Sequence, residues 1–223
     1  MLALGFGLTA ALIWAVHDLL ARKLTQGAAL LPILFTVFAA GCVVLLPVAL
    51  VAGDWEAMSV RAWVVAIVSG LTYALAGGGL YKAFSLAPVR LVSPVIGAYP
   101  MLSLAIAAAQ GRAVTVMDWL AVSTIVAGIA IVALASREDS PDGYAAPPAV
   151  ALGWAAFSAI GFATTFALVQ EATRLGSELP VSLVGRLVAL AALHRERVLT
   201  PFLCPPSAPP VRRQAMPLRF LQL

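Results

Sequence analysis

Charge is what this sequence has least of. Only 11% of its residues are Asp, Glu, Lys or Arg, while 62% are hydrophobic and the mean hydropathy is +0.98. A soluble domain carries about 25% charge. So little polar material cannot cover a water-soluble globule of 223 residues, and the class it leaves is integral membrane protein. Cysteine is scarce too. Cys42 lies in an apolar run and Cys204 near the C-terminal end, which gives neither a disulfide framework nor a metal spacing. With two histidines, no nucleophile elbow and no paired carboxylates inside the apolar runs, neither an enzyme nor a resident metal or cofactor is expected. The net charge of +4 does not point to nucleic acid, because the basic residues stand singly between apolar runs or in the last thirty positions. A cleavable leader is not expected either: the first apolar run is too long and no basic region precedes it.

What is present is length of apolar run. About 20 such residues cross the hydrocarbon core as a helix. Runs of that kind occupy 3–21, 28–51, 62–81, 91–109, 119–135 and 149–169, and 180–193 is a marginal seventh that carries Arg186. They are continuous rather than alternating, which predicts helices and not barrel strands. Trp55, Trp63, Trp119 and Trp154 fall near run ends, where the headgroup layer favours amphipathic rings. One connection stands out, the acidic, turn-rich "SREDSPDGYAAPP" at 136–148.

That connection separates two similar texts. At an offset of 148, "ALGFGLTAALIWA" faces "ALGWAAFSAIGFA", and the register holds through Thr25/Thr173 to Leu31-Pro32/Leu179-Pro180. Trp14 meets Phe162 in this alignment. The spacing predicts an internal repeat. Five crossings precede the second copy, so it starts inverted, an arrangement common among secondary transporters.

The segment "YKAFSLAPVRLVSPVIGAYPMLSLAIAAAQGR" carries Tyr81, a small-residue turn before Pro88, then Ser93-Pro94 and Tyr99-Pro100, and ends at Gly111. In these features it resembles the third-to-fourth helix region of the EamA family, in the drug/metabolite transporter superfamily. "DWLAVSTIVAGIAIVALAS" resembles that family's fifth helix, and "LTAALIWAVHDLLARKL" its first, with Trp14 in place. The resemblance implies an all-α fold, a polytopic membrane helix bundle with an EamA-like inverted repeat, ten helices in two inverted five-helix units around a central cavity; this chain offers a five-helix unit at 1–136, a linker at 137–148 and only two of the second unit's five helices at 149–193, before a basic, proline-rich tail at 194–223 that is expected to be disordered. It implies a carrier of small metabolites in the cell membrane, working by alternating access and in some members coupled to protons. The family's Gly-Glu at the end of the fourth helix is Gly111-Arg112 here.

Several residues are candidates for the substrate or proton pathway. His17 and Asp18 are ionisable groups within the first run, where such groups mark pathways; Asp18 and Arg22 could also form a simple i, i+4 ion pair near the interface. Arg186 would cost roughly 2.5–3.5 kcal/mol facing lipid, so it serves a cavity or reaches the headgroups. Pro94 and Pro100 interrupt the fourth helix and could expose backbone. Trp14, Tyr81 and Tyr99 complete the set, the tyrosines being either cavity-lining or interfacial anchors. Gly77-Gly78-Gly79 before Lys82 lacks phosphate-loop spacing, and "GFGLTA" lacks a preceding strand; both are expected to pack helices closely.

After 193 no run approaches membrane length, and Pro201, Pro205, Pro206, Pro209 and Pro210 break any helix. The expectation is a truncated or out-of-frame ending, with a soluble extension as the alternative. The expected partners are the lipid bilayer, a small-molecule substrate, and a homo-oligomer or partner chain supplying the missing helices; a non-transporting remnant or membrane scaffold is the other functional reading. Lys and Arg number five beside the odd loops and three beside the even ones, which places the N-terminus outside, whereas the family resemblance implies a cytoplasmic N-terminus.

Overall fold

The computed structural model describes residues 2–25, 29–135 and 147–194. Among these the regular structure is helical: α1 (Leu2–Thr25), α2 (Leu30–Ala52), α3 (Val60–Leu86), α4 (Val89–Ile96), α5 (Tyr99–Ala109), α6 (Val116–Ala135), α7 (Pro148–Arg174) and α8 (Glu178–His194). Five stretches are long and apolar enough to cross a membrane: α2, α3, α4 with α5, α6 and α7. α1, whose second half carries His17, Asp18, Arg22 and Lys23, and α8, at 17 residues, pack with them.

Local chemistry sets the ends. Ser59 caps α3, its Oγ accepting from the Ala62 N–H at 3.1 Å. Thr115 and Asp118 bond reciprocally at the start of α6, a capping box with Asp in the acidic position. α5 closes on Gly111, at φ 74°, with Gly111 N–H to Ala108 O and Arg112 N–H to Ala107 O. Such a left-handed residue after a helix is one that glycine adopts without strain. The fourth crossing is interrupted as expected, but not at the prolines themselves. It breaks at Gly97-Ala98; Pro94 lies inside α4, while Pro100 opens α5 rather than interrupting it, since the first turn of a helix needs no donor there.

α3 is the common spine. It packs most extensively on α7, then on α8. Hydrocarbon gives helices no hydrophobic reason to associate, so close contact between small residues and interhelical hydrogen bonds must do it. The seam matches that requirement. Ser158 Oγ donates to Ala76 O at 2.8 Å, and Thr165 Oγ1 donates to Thr72 Oγ1 at 2.9 Å. A Cβ on Gly161 would lie 2.9 Å from the Ala76 Cβ, and one on Gly79 would lie 2.9 Å from a Phe157 ring carbon. Gly77-Gly78-Gly79 thus serves helix packing, as expected. Gly5 and Gly7 do not: a Cβ at either would meet nothing within 4 Å.

The contacts also fix directions. Along α7, Ser158, Thr165 and Gly176 meet Ala76, Thr72 and Ala62, so α7 runs antiparallel to α3. Along α1, His17 and Arg22 meet Tyr81 and then Phe84 and Ala87, so α1 runs parallel to α3. α1 and α7 therefore point oppositely. α2 and α8 do too, since Gly53, Gly41 and Phe35 lie against Pro180, Arg186 and His194. Shifting α1 by 148 gives 150–173, and shifting the start of α2 gives 178; α7 spans Pro148–Arg174 and α8 begins at Glu178. The repeat is inverted.

The outward face is apolar. Phe6, Val51, Val60, Leu134 and many other large side chains stand exposed, and α6 buries no residue. Such a skin is a liability in water and ordinary in lipid. Trp154, in the second turn of α7, packs against Phe157 and the bundle core. The expectations for most of the linker and for the tail fall on 136–146 and 195–223, outside the described residues.

Candidate functional site

The stripe Trp14, His17, Ala21 and Thr25 on α1 stands at helical spacing, and from it His17 meets Tyr81 of α3 while Trp14 meets Phe162 of α7. His17 joins two groups. Its Nδ1 lies 3.1 Å from Asp18 Oδ1, and its Nε2 lies 3.0 Å from the Tyr81 hydroxyl. With Asp18 ionised, Nδ1–H donates to the carboxylate and Nε2 accepts from Tyr81 O–H. Arg22 meanwhile donates to Phe84 O at 3.0 Å and Ala87 O at 2.7 Å, holding the carbonyl end of α3, where a cation is favoured. These groups are therefore engaged across the bundle, beyond a simple pair on the surface of α1. Tyr81 is no interfacial anchor: α3 continues to Leu86 and leaves Tyr81 2% exposed.

A second polar point lies around Arg186. Its guanidinium lies near Tyr73 and Cys42 and occupies space that Gly41 leaves open. A Cβ at position 41 would sit 2.8 Å from Arg186 Nη1. Among the described residues no carboxylate lies within 4 Å of this cation.

Aromatic rings connect the two points. Phe162 touches Trp14, Tyr73 and Tyr99, each with centroids 6.2 Å away; Tyr99 stacks on Phe166 at 5.3 Å, and Tyr73 stacks on Phe38 at 4.8 Å. The repeat explains part of this. Trp14 and Phe162 are counterparts at the 148 offset, and counterparts in contact lie at the pseudo-twofold axis. Phe38 and Arg186 are counterparts as well, and both contact Tyr73. His17 and Asp18 correspond to Thr165 and Phe166, which also turn inward, to Thr72 and Tyr99. Trp14, His17, Asp18, Tyr81, Tyr99 and Arg186 thus gather around one aromatic core. Tyr73, Phe38 and Phe166 were missed from sequence; in apolar text they carry no signal until the helices are docked.

From this core a cleft of about 310 Å³ runs between α5 and α7, lined by Tyr99, Pro100, Ser103, Leu104, Ala107, Phe166 and Gln170. Pro94 does not line it. At its far end Arg112 donates to Gln170 Oε1 at 2.6 Å and lies 3.9 Å from Glu171. Glu171 is approached as well by Arg61 at 3.8 Å and Arg174 at 3.6 Å. The Gly-Arg ending of the fourth crossing is therefore matched by an acid from α7. No group of three or more His, Cys, Asp or Glu that could hold a metal occurs among the described residues.

Oppositely directed helix pairs thus meet at a polar and aromatic core beneath an apolar exterior. No curated protein and no solved structure matches the chain. A family comparison does, over residues 1–134, which is more than half of the sequence and takes in α1 to α6 up to its last residue. Members of that family are transporters and not enzymes. The chain is a multi-pass membrane protein that belongs to the EamA-like transporter family.

Proposed function

We propose that the chain forms part of a carrier that moves a small metabolite across the cell membrane by alternating access of its two oppositely directed helix sets. The observation that carries this reading is the contact of Trp14 with its repeat counterpart Phe162, amid the ionisable groups His17, Asp18 and Arg186. Carrier sites lie near the bilayer midplane where inverted repeats meet, and costly ionisable groups gather there for a purpose. Trp14, Tyr81 and Tyr99 shape the cavity, and the break between Pro94 and Pro100 supplies the bend of a discontinuous helix. If His17 takes a proton at Nε2, that nitrogen becomes a donor and the bond to Tyr81 reverses while Nδ1–H still donates to Asp18, so this is the site we assign to proton coupling.

Counterflow in proteoliposomes tests the reading. Vesicles holding the purified chain and preloaded with a metabolite mixture should accumulate one labelled component, and His17→Gln should abolish any dependence on a pH gradient. Well-folded protein that exchanges nothing would establish a non-transporting scaffold instead.

A further inference from the structure

Arg186, Gly41 and Tyr73 are each the middle residue of their helices, α8 (Glu178–His194), α2 (Leu30–Ala52) and α3 (Val60–Leu86). Eight residues separate Arg186 from either end of α8, about 12 Å at the helical rise. That is farther than an arginine side chain extends, and the guanidinium turns inward to Gly41 and Tyr73. The headgroup reading therefore fails: the charge sits at mid-depth. Arginine keeps its proton in every protein environment, and among the described residues no carboxylate approaches within 4 Å. Its neighbours there, the Tyr73 hydroxyl and Cys42, are neutral partners. Asp18, on the other side of the aromatic core, is bonded to His17. Arg186 remains partly exposed, so an incoming group can reach it.

Resting on the carrier reading above, we propose that the ligand is a small organic monoanion whose carboxylate is received by Arg186 and Tyr73 and whose apolar body lies against the partly exposed ring of Tyr73. A planar guanidinium matches a carboxylate through two parallel hydrogen bonds, and one guanidinium calls for one negative charge. The Phe38–Tyr73 stack and the Tyr73–Phe162 edge contact hold that tyrosine ring in place beside the cation. The same guanidinium could take a lipid phosphate, so the lipid is varied in the test.

Calorimetric titration of the full chain in phosphatidylcholine nanodiscs, with benzoate, benzamide and benzylamine as probes, decides the matter. Benzoate should bind saturably and the other two at least about tenfold more weakly, as expected for a hydrogen bond to a charged group. Arg186→Gln should lose benzoate binding, and Tyr73→Phe should weaken it several-fold. Equal binding of benzamide, no benzoate binding, or full affinity in Arg186→Gln would overturn the proposal. So would benzoate binding that disappears when phosphatidylglycerol is added, which would make the occupant a lipid. Should Arg186→Gln fail to insert, the benzoate–benzamide comparison and Tyr73→Phe still decide. Counterflow separates the two readings: exchange of benzylamine without benzoate removes the anion and keeps the carrier, whereas benzoate binding without any exchange keeps the site and removes the carrier.

Discussion

At positions 79 and 161 a hydrogen stands where any other residue would bring carbon into a neighbouring helix. Gly79→Ala would press on Phe157 and Ser158, and Gly161→Ala on the Ala76 Cβ and backbone. Gly161→Ala is the harsher case, since backbone cannot swing aside. We expect it to cost about 1–3 kcal/mol, the range for overpacking. Gly5→Ala and Gly7→Ala meet nothing and gain helix propensity, so they should be neutral or stabilising by up to about 1 kcal/mol. Unfolding midpoints of the four variants in one detergent check this contrast. The sequence offered all four glycines on equal terms. Their difference depends on which face of α1 and α3 meets a partner, and that is settled only by docking. The same holds for His17: its type announced a pathway, but its partner Tyr81, 64 positions away, did not.

Elements were legible in number and order, because an uninterrupted apolar run in lipid has no option but helix. Their ends were less so. α3 and α7 run five residues beyond their apolar runs, to Leu86 and Arg174, since polar termini remain helical where they leave the hydrocarbon. Ser59 links two such ends, capping α3 and donating to Leu175 O at 2.9 Å. Ser59→Ala should cost about 0.5–2 kcal/mol, read as a lowered unfolding midpoint. Glu171 performs a related task among Arg61, Arg112 and Arg174. Two of those arginines are mostly exposed, so water and salt weaken the pairs. Glu171→Gln should lower stability by no more than about 1 kcal/mol at low ionic strength, and the difference should shrink in molar salt. A loss independent of salt would mean that the carboxylate acts through packing.

For the molecule as a whole, parity and the 148-residue offset already implied inversion, and the side-chain contacts bear it out through two separate helix pairs. What could not be read was where the fourth crossing breaks: two prolines marked an interruption, yet the break fell at Gly97-Ala98 between them. The inversion makes a sidedness prediction. Arg22 lies at the C-terminal end of α3 and Leu175 at its N-terminal end. In a chain with Cys42 and Cys204 replaced by serine, cysteines at Lys23 and Arg174 should react with an impermeant maleimide from opposite sides of a sealed vesicle. Labelling from the same side would end the inverted arrangement. Inversion is also imperfect where Phe38 in one half faces Arg186 in the other across Tyr73. A pocket with strict twofold equivalence would accept any guest in two mirrored poses and could not tell head from tail. Here a ring and a cation mark the two ends differently, so on the carrier reading proposed above a guest would be given a polarity, and the two directions of passage would no longer be equivalent.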